Sequence, residues 1–326
     1  MHPKLKPAVD KSLKLTVHIW RIIYDFYQRS ITTFKAYWPS IEKRLFIYAK
    51  LIRLDRPIGI FLLLWPTLWG LWIAAKGFPD WDVLIVFCLG VFLMRSAGCV
   101  LNDIADRRYD PMVNRTRSRP IAAGDVTPLE ALGVALTLIG IAFILVLSMN
   151  KLTIQLAFVA VFLAGLYPFM KRYTYLPQFF LGLAFGWAIP MAFAAQTNSL
   201  PQIAWVLLIA NVLWSVVYDT MYAMVDREED LKIGVKSTAI LFDDADRVII
   251  GIIQALVLIT LIIIGKQTEL GFIFYSSLAF ASCFFIYQLV LIWGREPKRC
   301  MQAFLNNNWF GLTIFAGIFF DYLYTA

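Results

Sequence analysis

One stretch of the chain, residues 83–110, joins a membrane-spanning pattern to a cluster of carboxylates: VLIVFCLGVFLMRSAGCVLNDIADRRYD. Residues 83–101 carry a single charge, Arg95, and their length is close to the roughly 20 residues that a helix needs to cross a bilayer. A charged side chain within such a helix is costly and usually faces a functional cavity. The stretch therefore predicts a transmembrane helix that ends in chemically active residues.

The composition of the whole chain indicates a membrane protein. Of its 326 residues, 60% are apolar and 16% are charged, whereas soluble domains have about 45–50% and about 25%. Nine apolar runs are long enough to span a bilayer: 57–75, 83–101, 129–148, 152–170, 177–196, 202–221, 248–265, 271–292 and 309–325. Such long, continuous runs are not typical of outer-membrane barrels, whose strands alternate over about ten residues. The pattern predicts an all-α, polytopic protein with nine transmembrane helices.

Several function classes are excluded by the residue types present. The two histidines, His2 and His18, lie far from the apolar body, so histidine-dependent catalysis in that body is excluded. The four cysteines have no CxxC spacing, which disfavours a zinc site or a disulfide scaffold. The net charge of +8 is better explained by basic cytoplasmic loops than by nucleic acid, which is not an expected partner.

The distribution of lysine and arginine predicts the orientation. If residues 1–56 lie in the cytoplasm and nine helices alternate, 26 Lys and Arg residues face the cytoplasm and three face the opposite side. Cytoplasmic loops carry such an excess of positive charge. We therefore expect a cytoplasmic N-terminus, cytoplasmic loops around the acidic motifs, and a C-terminus on the outer side.

Residues 1–50 differ in character from the rest of the chain. Basic residues lie there among apolar residues, and four of the apolar ones have helical spacing: Trp20, Ile23, Phe26 and Tyr27. One interpretation is an amphipathic extension lying on the anionic cytoplasmic leaflet, and the other is an unstructured basic tail. In both, residues 1–50 are an extension and residues 51–326 form the transmembrane domain.

Acidic residues are concentrated at the ends of two apolar runs. Asp103, Asp106 and Asp110 have the spacing i, i+3 and i+7, which puts them on one helix face. Asp219, Asp226 and Asp230 also fall within a narrow helical stripe. Because both sets end even-numbered helices, we expect them at the same membrane face.

Six carboxylates at one end of a helix bundle need positive charge between them. Mg²⁺ is usually held by one or two carboxylates together with substrate phosphates, so the two stripes predict two Mg²⁺ ions that hold a diphosphate. Nearby cations fit this prediction, namely Arg95, Lys171, Arg172 and the arginines of the loop at 115–119. Tyr167 precedes Lys171 by one helical turn and is placed to orient it.

Each cation also has a simpler interpretation. Arg95 could neutralise a buried carboxylate, and Lys171 and Arg172 could be ordinary positive-inside residues. The Trp65, Trp69 and Trp72 stripe indicates packing or an interfacial contact rather than a substrate site. The run Asn306–Asn308 is interpreted as a turn that connects helices.

Three motifs resemble the UbiA superfamily of intramembrane aromatic prenyltransferases. They are NDIADRRYD at 102–110, the YxxxK of Tyr167 to Lys171 and the DxxxD of Asp226 to Asp230. The longer stretches 54–72, 114–128, 170–178 and 218–241 are similar to the branch that acts in bacterial ubiquinone biosynthesis. The resemblance covers about residues 45–320.

The resemblance implies a ring of nine transmembrane helices around a central cavity, with cytoplasmic cap loops, in the bacterial inner membrane. It implies a Mg²⁺-dependent enzyme that transfers a polyprenyl group from a polyprenyl diphosphate to 4-hydroxybenzoate. The implied metal ligands and catalytic carboxylates are Asn102, Asp103, Asp106, Asp110, Asp226 and Asp230. The implied substrate-binding residues are Asn102, Tyr167, Lys171 and Arg172, with Arg95 and Asp219 deeper in the cavity.

Two alternatives to this function remain at the level of sequence. The same chemistry on another aromatic acceptor, such as a naphthoate, a homogentisate or a haem, would keep every motif. A cation-coupled transporter would also place acidic residues within the membrane. Against transport, the carboxylates cluster at one face, and the two halves of the chain show no obvious repeat.

Overall fold

The computed structural model describes residues 24, 26–28 and 41–325. Spatial clustering separates residues 1–50 from residues 51–326. In the first unit, Tyr24, Phe26 and Tyr27 are helical and exposed. Trp20 and Ile23, on which the predicted amphipathic pattern also depends, lie outside the described residues, so a membrane-surface helix stays a prediction.

Ten helices of the second unit are long enough to organise the site. In chain order they are α1 Ile58–Ala75, α2 Trp81–Asp106, α3 Pro128–Val146, α4 Lys151–Tyr173, α5 Pro177–Gly186, α6 Ala188–Thr197, α7 Gln202–Ile233, α8 Asp246–Gln267, α9 Phe272–Ile292 and α10 Pro297–Thr325. No β-strand occurs within residues 41–325. The all-α prediction is confirmed.

Eight segments of the described chain are long and apolar enough to cross a membrane. They correspond to the first eight predicted spans, and the fifth consists of α5 and α6 together, over Pro177–Thr197. The ninth predicted span, 309–325, lies within the 29-residue helix α10. That helix is not among the eight, and it carries the polar run Asn306–Asn308 as well as Asp321.

The helices form a closed ring. Each helix from α1 to α10 packs against the next one along the chain, and α10 packs against α1. The long helix α7 also contacts α5, α8 and α10. Because α2 and α7 belong to one ring, their acidic ends are brought to a common space.

Two glycines let α5 approach α7 closely. A Cβ atom on Gly182 would lie 3.0 Å from the Val212 Cα, and one on Gly186 would lie 2.5 Å from the Leu208 Cδ1. Small residues four positions apart allow this kind of backbone approach between membrane helices. The glycine pair therefore helps to fix the position of α7, which carries the second acidic motif.

The tryptophan stripe of α1 is a packing feature, as the sequence indicates. Trp69 and Trp72 are buried, and the Trp69 ring stacks on Trp214 of α7 with 5.2 Å between ring centroids. Such aromatic pairs contribute about 0.5–1.5 kcal/mol beyond their buried area. The stripe thus joins α1 to α7.

The predicted turn at Asn306–Asn308 is wrong, because these residues lie inside α10. Their side-chain oxygens accept hydrogen bonds from Gln288 Nε2 at 3.0 Å, Trp214 Nε1 at 2.9 Å and Trp65 Nε1 at 2.9 Å, in chain order. Buried polar groups are tolerated in a helix when they are paired in this way. The amides therefore bind neighbouring helices instead of breaking their own.

Candidate active site

The first acidic motif lies at the C-terminal end of α2 and in the turn that follows. Asp103 and Asp106 end the helix, and Asp110 begins a single 3₁₀ turn, Asp110–Met112. Their side chains are buried, with Asp103 1% and Asp106 2% exposed. The amide of Asn102 donates a 3.0 Å hydrogen bond to Asp106 Oδ2. The motif thus forms one inward-facing cluster, as its spacing predicts.

The second acidic motif lies on α7, which is 32 residues long. Asp219, Asp226 and Asp230 are all half-buried on this helix. The helix ends at Gly234, whose φ of +74° is in the left-handed region that glycine adopts without strain. Val235, Lys236 and Ser237, which follow this glycine, line the same pocket as the three carboxylates.

Residues of both motifs line one pocket. Of the predicted site residues, its lining includes Asn102, Asp106, Asp110, Tyr167, Lys171, Asp219, Asp226 and Asp230. Asp103, Arg95 and Arg172 are not part of the lining. The structure therefore brings the carboxylates of α2 and α7 to a shared space.

Arginines neutralise Asp103 and Asp110 of the first motif. Arg53 donates to both oxygens of Asp103, at 2.8 and 2.9 Å. Arg119, from the loop after α2, lies 3.1 Å from Asp103 Oδ1 and donates to both oxygens of Asp110 at 3.0 Å. These pairings explain how two carboxylates are buried side by side.

Asp106 and Asp226, one from each motif, are also paired with basic side chains. Lys171 of α4 forms an ion pair with Asp106 of α2. Arg115 donates from Nε to both oxygens of Asp226 at 3.0 Å, and its guanidinium lies 4.4 Å from the centre of the Tyr222 ring. The basic groups predicted near the acidic motifs are therefore in direct contact with them.

Asp110 lies outside the membrane-spanning helices, and its ionisation is perturbed. Burial raises the pKa of its carboxyl group from 3.8 to about 6, although Arg119 acts in the opposite direction. A raised pKa means that the negative charge is disfavoured in the ligand-free pocket. A cation bound at this carboxylate would relieve that cost.

Comparisons with known proteins show the family of this chain. The model of the UbiA prenyltransferase family matches residues 63–316. The chain belongs to this family. It is accordingly a prenyltransferase with multiple membrane-spanning helices.

One curated relative and two solved structures illustrate the similarity of this UbiA-family chain to known proteins. The chain is 59% identical to a 4-hydroxybenzoate octaprenyltransferase of Saccharophagus degradans, and the alignment covers 90% of this chain and 99% of that relative. A UbiA homologue from Aeropyrum pernix is 25% identical with a TM-score of 0.72, covering 81% of this chain and 97% of that one. The fold also matches a UbiA homologue from Archaeoglobus fulgidus bound to GPP and Mg²⁺, at 15% identity and a TM-score of 0.64, covering 83% and 99%.

The donor set of this UbiA-family site fits Mg²⁺. Within the described residues, no three Asp, Glu, His or Cys side chains are gathered closely enough to hold an ion. Asp106 Oδ1, however, is buried without a hydrogen-bond partner. Carboxylates and the Asn102 amide line the same pocket, together with Lys171 and two arginines, and carboxylate and amide oxygens are ligands that Mg²⁺ prefers. The ligand set itself stays a prediction.

Arg172 is not among the residues that line the pocket. Its guanidinium donates to the carbonyl oxygen of Ala105 and lies 5.5 Å from the Tyr109 ring centre and 5.3 Å from that of Phe169. These contacts join α4 to the end of α2. Its role in substrate binding stays a prediction.

Several residues of the site were not found from the sequence. The sequence marks Arg53 only as a cytoplasmic charge, because nothing in its neighbourhood shows that it reaches Asp103, 50 positions away. Asn114 donates a 2.6 Å hydrogen bond to Glu229 and so ties the loop after α2 to α7. Tyr222 lies on the same face of α7 as Asp219 and Asp226, and this spacing could have identified it.

Proposed function

We propose that this protein transfers a polyprenyl group from a polyprenyl diphosphate to the carbon ortho to the hydroxyl of 4-hydroxybenzoate, in a Mg²⁺-dependent reaction of ubiquinone biosynthesis. The observation that carries the proposal is the shared pocket of α2 and α7, with Lys171 between the two acidic motifs. The high identity to a protein named 4-hydroxybenzoate octaprenyltransferase supports the choice of acceptor.

The acidic end of the pocket is the proposed diphosphate site. Asn102, Asp103, Asp106 and Asp110 would hold one Mg²⁺, and Asp226 and Asp230 would hold the other. Bound there, Mg²⁺ supplies positive charge that stabilises the leaving diphosphate. The A. fulgidus homologue bound to GPP and Mg²⁺ supports such a site, since it shares the fold.

The cations of the pocket have two partners in this proposal. In the ligand-free protein, Lys171 and Arg115 neutralise Asp106 and Asp226. A diphosphate is a stronger multivalent partner for the same groups. Lys171 and Arg115 are therefore placed to bind the departing diphosphate oxygens and stabilise their developing charge.

The wall beneath the acidic end protects the reaction. Breaking the bond between the allylic carbon and the diphosphate oxygen gives an allylic cation, which water would capture. Tyr167 and Tyr222 line the pocket together with the carboxylates and limit the access of water. The aromatic ring then attacks through its ortho carbon, and loss of the ring proton restores aromaticity.

We further propose that the protein resides in the bacterial inner membrane, with its N-terminus and active-site loops in the cytoplasm. The Lys and Arg bias of 26 to three supports this orientation. Residues 1–50 are proposed to be a basic extension of the transmembrane domain, which comprises residues 51–326.

The test uses the purified full-length protein in nanodiscs, with 4-hydroxybenzoate, a polyprenyl diphosphate and Mg²⁺. We expect 3-polyprenyl-4-hydroxybenzoate by mass spectrometry, no product in EDTA, and recovery when Mg²⁺ is restored. Asp106→Asn and Asp226→Asn should each lower the turnover rate by at least about 100-fold, because each removes a charge from the diphosphate site.

Asp82→Asn is the matched control. Asp82 lies on the same helix as Asp106 but is exposed in its first turn, at the opposite end. Its substitution should leave turnover within about twofold of the unmodified protein, as expected for a surface change. Full activity of both Asp106→Asn and Asp226→Asn would refute the metal assignment, and failure to prenylate 4-hydroxybenzoate would refute the acceptor.

A further inference from the structure

Gln178 is a buried residue of the pocket wall that the proposed chemistry does not use. It is the second residue of α5, is 3% exposed and lines the same pocket as Asp106 and Lys171. It also ends the stretch 170–178, one of the segments in which the sequence resembles its family. A buried side-chain amide is normally hydrogen-bonded at both of its ends. The partners of Gln178 therefore show whether it serves packing or ligand binding.

One end of the Gln178 amide is fixed by the protein. The backbone N–H of Thr238 donates a 3.1 Å hydrogen bond to Gln178 Oε1. Only the oxygen of a side-chain amide can accept such a bond, so the position of the nitrogen, Nε2, is determined as well. In the part of the chain that the structure describes, Nε2 has no hydrogen-bond partner, and it is not sealed in the interior. Its two N–H groups are therefore left for a molecule that enters the pocket.

Thr238, which anchors this amide, is itself held by neighbouring helices. It is fully buried, and its hydroxyl oxygen lies 2.6 Å from that of Thr220 on α7. Two residues earlier, the backbone N–H of Lys236 donates a 3.0 Å hydrogen bond to the carbonyl oxygen of Lys171 on α4. The segment that holds Gln178 is thus tied to both α4 and α7. Donors fixed in this way need no reorganisation when a ligand binds.

A second donor lies at the same point of the pocket wall. Helix α5 begins at Pro177, which also lines the pocket, and its N-cap residue Leu176 makes no side-chain cap. The Phe179 N–H is bonded to the Leu176 carbonyl oxygen at 3.1 Å, whereas the Gln178 N–H has no partner among the described residues. Unpaired N–H groups and the helix dipole make such a terminus favourable for anions. Gln178 thus offers both side-chain and main-chain donors.

The charges around Gln178 indicate the class of ligand. Lys171 and Arg115, which also line the pocket, are paired with Asp106 and Asp226 in the ligand-free protein. The N–H groups of Gln178 are neutral and unpaired, so an incoming anion gains them without breaking an ion pair. Diphosphate oxygens accept hydrogen bonds, and helix-terminal N–H groups beside cations are a common site for them.

We propose that Gln178 binds the diphosphate group of the prenyl substrate, with Nε2 donating to a phosphate oxygen at the N-terminus of α5; this inference rests on the proposed function. Gln178 makes no covalent bond in the reaction and takes no proton. Its donors hold the diphosphate before the allylic bond breaks, and they hold pyrophosphate afterwards.

The experiment measures ligand binding and turnover of the full-length protein in nanodiscs. Calorimetry gives Kd for inorganic pyrophosphate in the presence of Mg²⁺, and kinetics give KM for the prenyl diphosphate and for 4-hydroxybenzoate. Gln178→Glu keeps an oxygen for the Thr238 N–H and replaces the donor by an acceptor. We expect Kd for pyrophosphate and KM for the prenyl diphosphate to rise about 10–100-fold, because a hydrogen bond to a charged group is lost. KM for 4-hydroxybenzoate should stay within about threefold, as for an independent site.

Two further variants separate binding from folding. Gln178→Met has a similar size but neither donor nor acceptor. It should weaken pyrophosphate binding as Gln178→Glu does, and it should also lower Tm, because the Thr238 N–H loses its acceptor. Gln202→Glu is the matched control for the added charge, since Gln202 is the exposed first residue of α7, at the opposite end from the acidic motif. It should change none of these constants.

The outcomes distinguish this inference from the proposed function. Absence of prenylated 4-hydroxybenzoate from the unmodified protein would refute the proposed function, whereas Kd for pyrophosphate tests Gln178 independently of that product. Two results would overturn the role of Gln178: an unchanged Kd in Gln178→Glu, or a rise in KM for 4-hydroxybenzoate in place of the prenyl diphosphate. If one of the two Gln178 variants fails to fold, the other decides the same comparison.

Discussion

Among the described residues, Lys171 is the one cation that forms an ion pair with Asp106, and its removal gives a sharp test of the site. The Asp106 side chain is 2% exposed and that of Lys171 is 25% exposed. After Lys171→Met, Asp106 would keep one hydrogen bond, from Asn102, and its Oδ1 has none. The substitution therefore leaves a buried carboxylate without a neutralising partner.

The cost of Lys171→Met can be worked out from this burial. Removing one partner of a buried ion pair costs about 3–5 kcal/mol. Because a quarter of the Lys171 side chain is exposed, we expect the lower end, about 3 kcal/mol in the free energy of unfolding. At about 2–4 °C for each kcal/mol, Tm should fall by about 6–12 °C in EDTA.

The assay is thermal unfolding of purified protein in detergent, followed by intrinsic fluorescence, with EDTA and then with Mg²⁺ and inorganic pyrophosphate. Asp106→Asn combined with Lys171→Met should regain most of the lost stability, because the unpaired charge is gone. Mg²⁺ with pyrophosphate should narrow the difference between Lys171→Met and the unmodified protein. Lys232→Met, an exposed lysine near the end of α7, should have no effect.

Two results would refute this reasoning. One is an unchanged Tm for Lys171→Met in EDTA. The other is a double variant in which the two losses simply add, because independent sites behave additively whereas a coupled ion pair does not.

Three further predictions address other parts of the structure. Burial raises the pKa of Asp110 from 3.8 to about 6, so this carboxyl group stabilises the folded, metal-free protein most below pH 3.8, and the stabilisation is lost as the pH rises through 6. Mg²⁺ binds the ionised carboxylate. The affinity of the protein for Mg²⁺, measured by calorimetry, should therefore fall as the pH drops from 7 to 5. Gly186→Leu should destabilise the protein by about 1–3 kcal/mol or more, because the new side chain overpacks against α7. Gly165→Ala should not, because the space around Gly165 is open. Equal Tm values for the two variants would contradict the close approach of α5 to α7. Asn307→Ala should cost about 1–3 kcal/mol in unfolding experiments, because it leaves the buried indole N–H of Trp214 without an acceptor; a neutral result would show that the amide does not fix α10.

The parts of the site that follow local periodicity were predictable from the sequence. Asp103, Asp106 and Asp110 share a face because of their spacing, and so do Asp219, Asp226 and Asp230. Eight spans follow from continuous apolar runs of sufficient length. These features need no knowledge of which helices are neighbours.

Features that depend on neighbouring helices were not predictable in the same way. Arg53 reaches Asp103 across 50 positions of chain, and only the closed ring brings them together. The run at 306–308 indicated a turn, because the indoles that satisfy its amides come from α1 and α7. Pairing partners supplied by tertiary structure thus override local propensity.

The length of α7 has a consequence for how the lipid substrate is met. At 1.5 Å per residue, its 32 residues span about 48 Å, against a hydrocarbon core of about 30 Å. Counted from Gln202, Asp219 is within that thickness, whereas Asp226 and Asp230 are beyond it. A long-chain diphosphate can therefore keep its tail dissolved in the bilayer while its head group is bound at the boundary. Saturation of the enzyme should then follow the mole fraction of this substrate among the lipids and not its concentration in the aqueous volume.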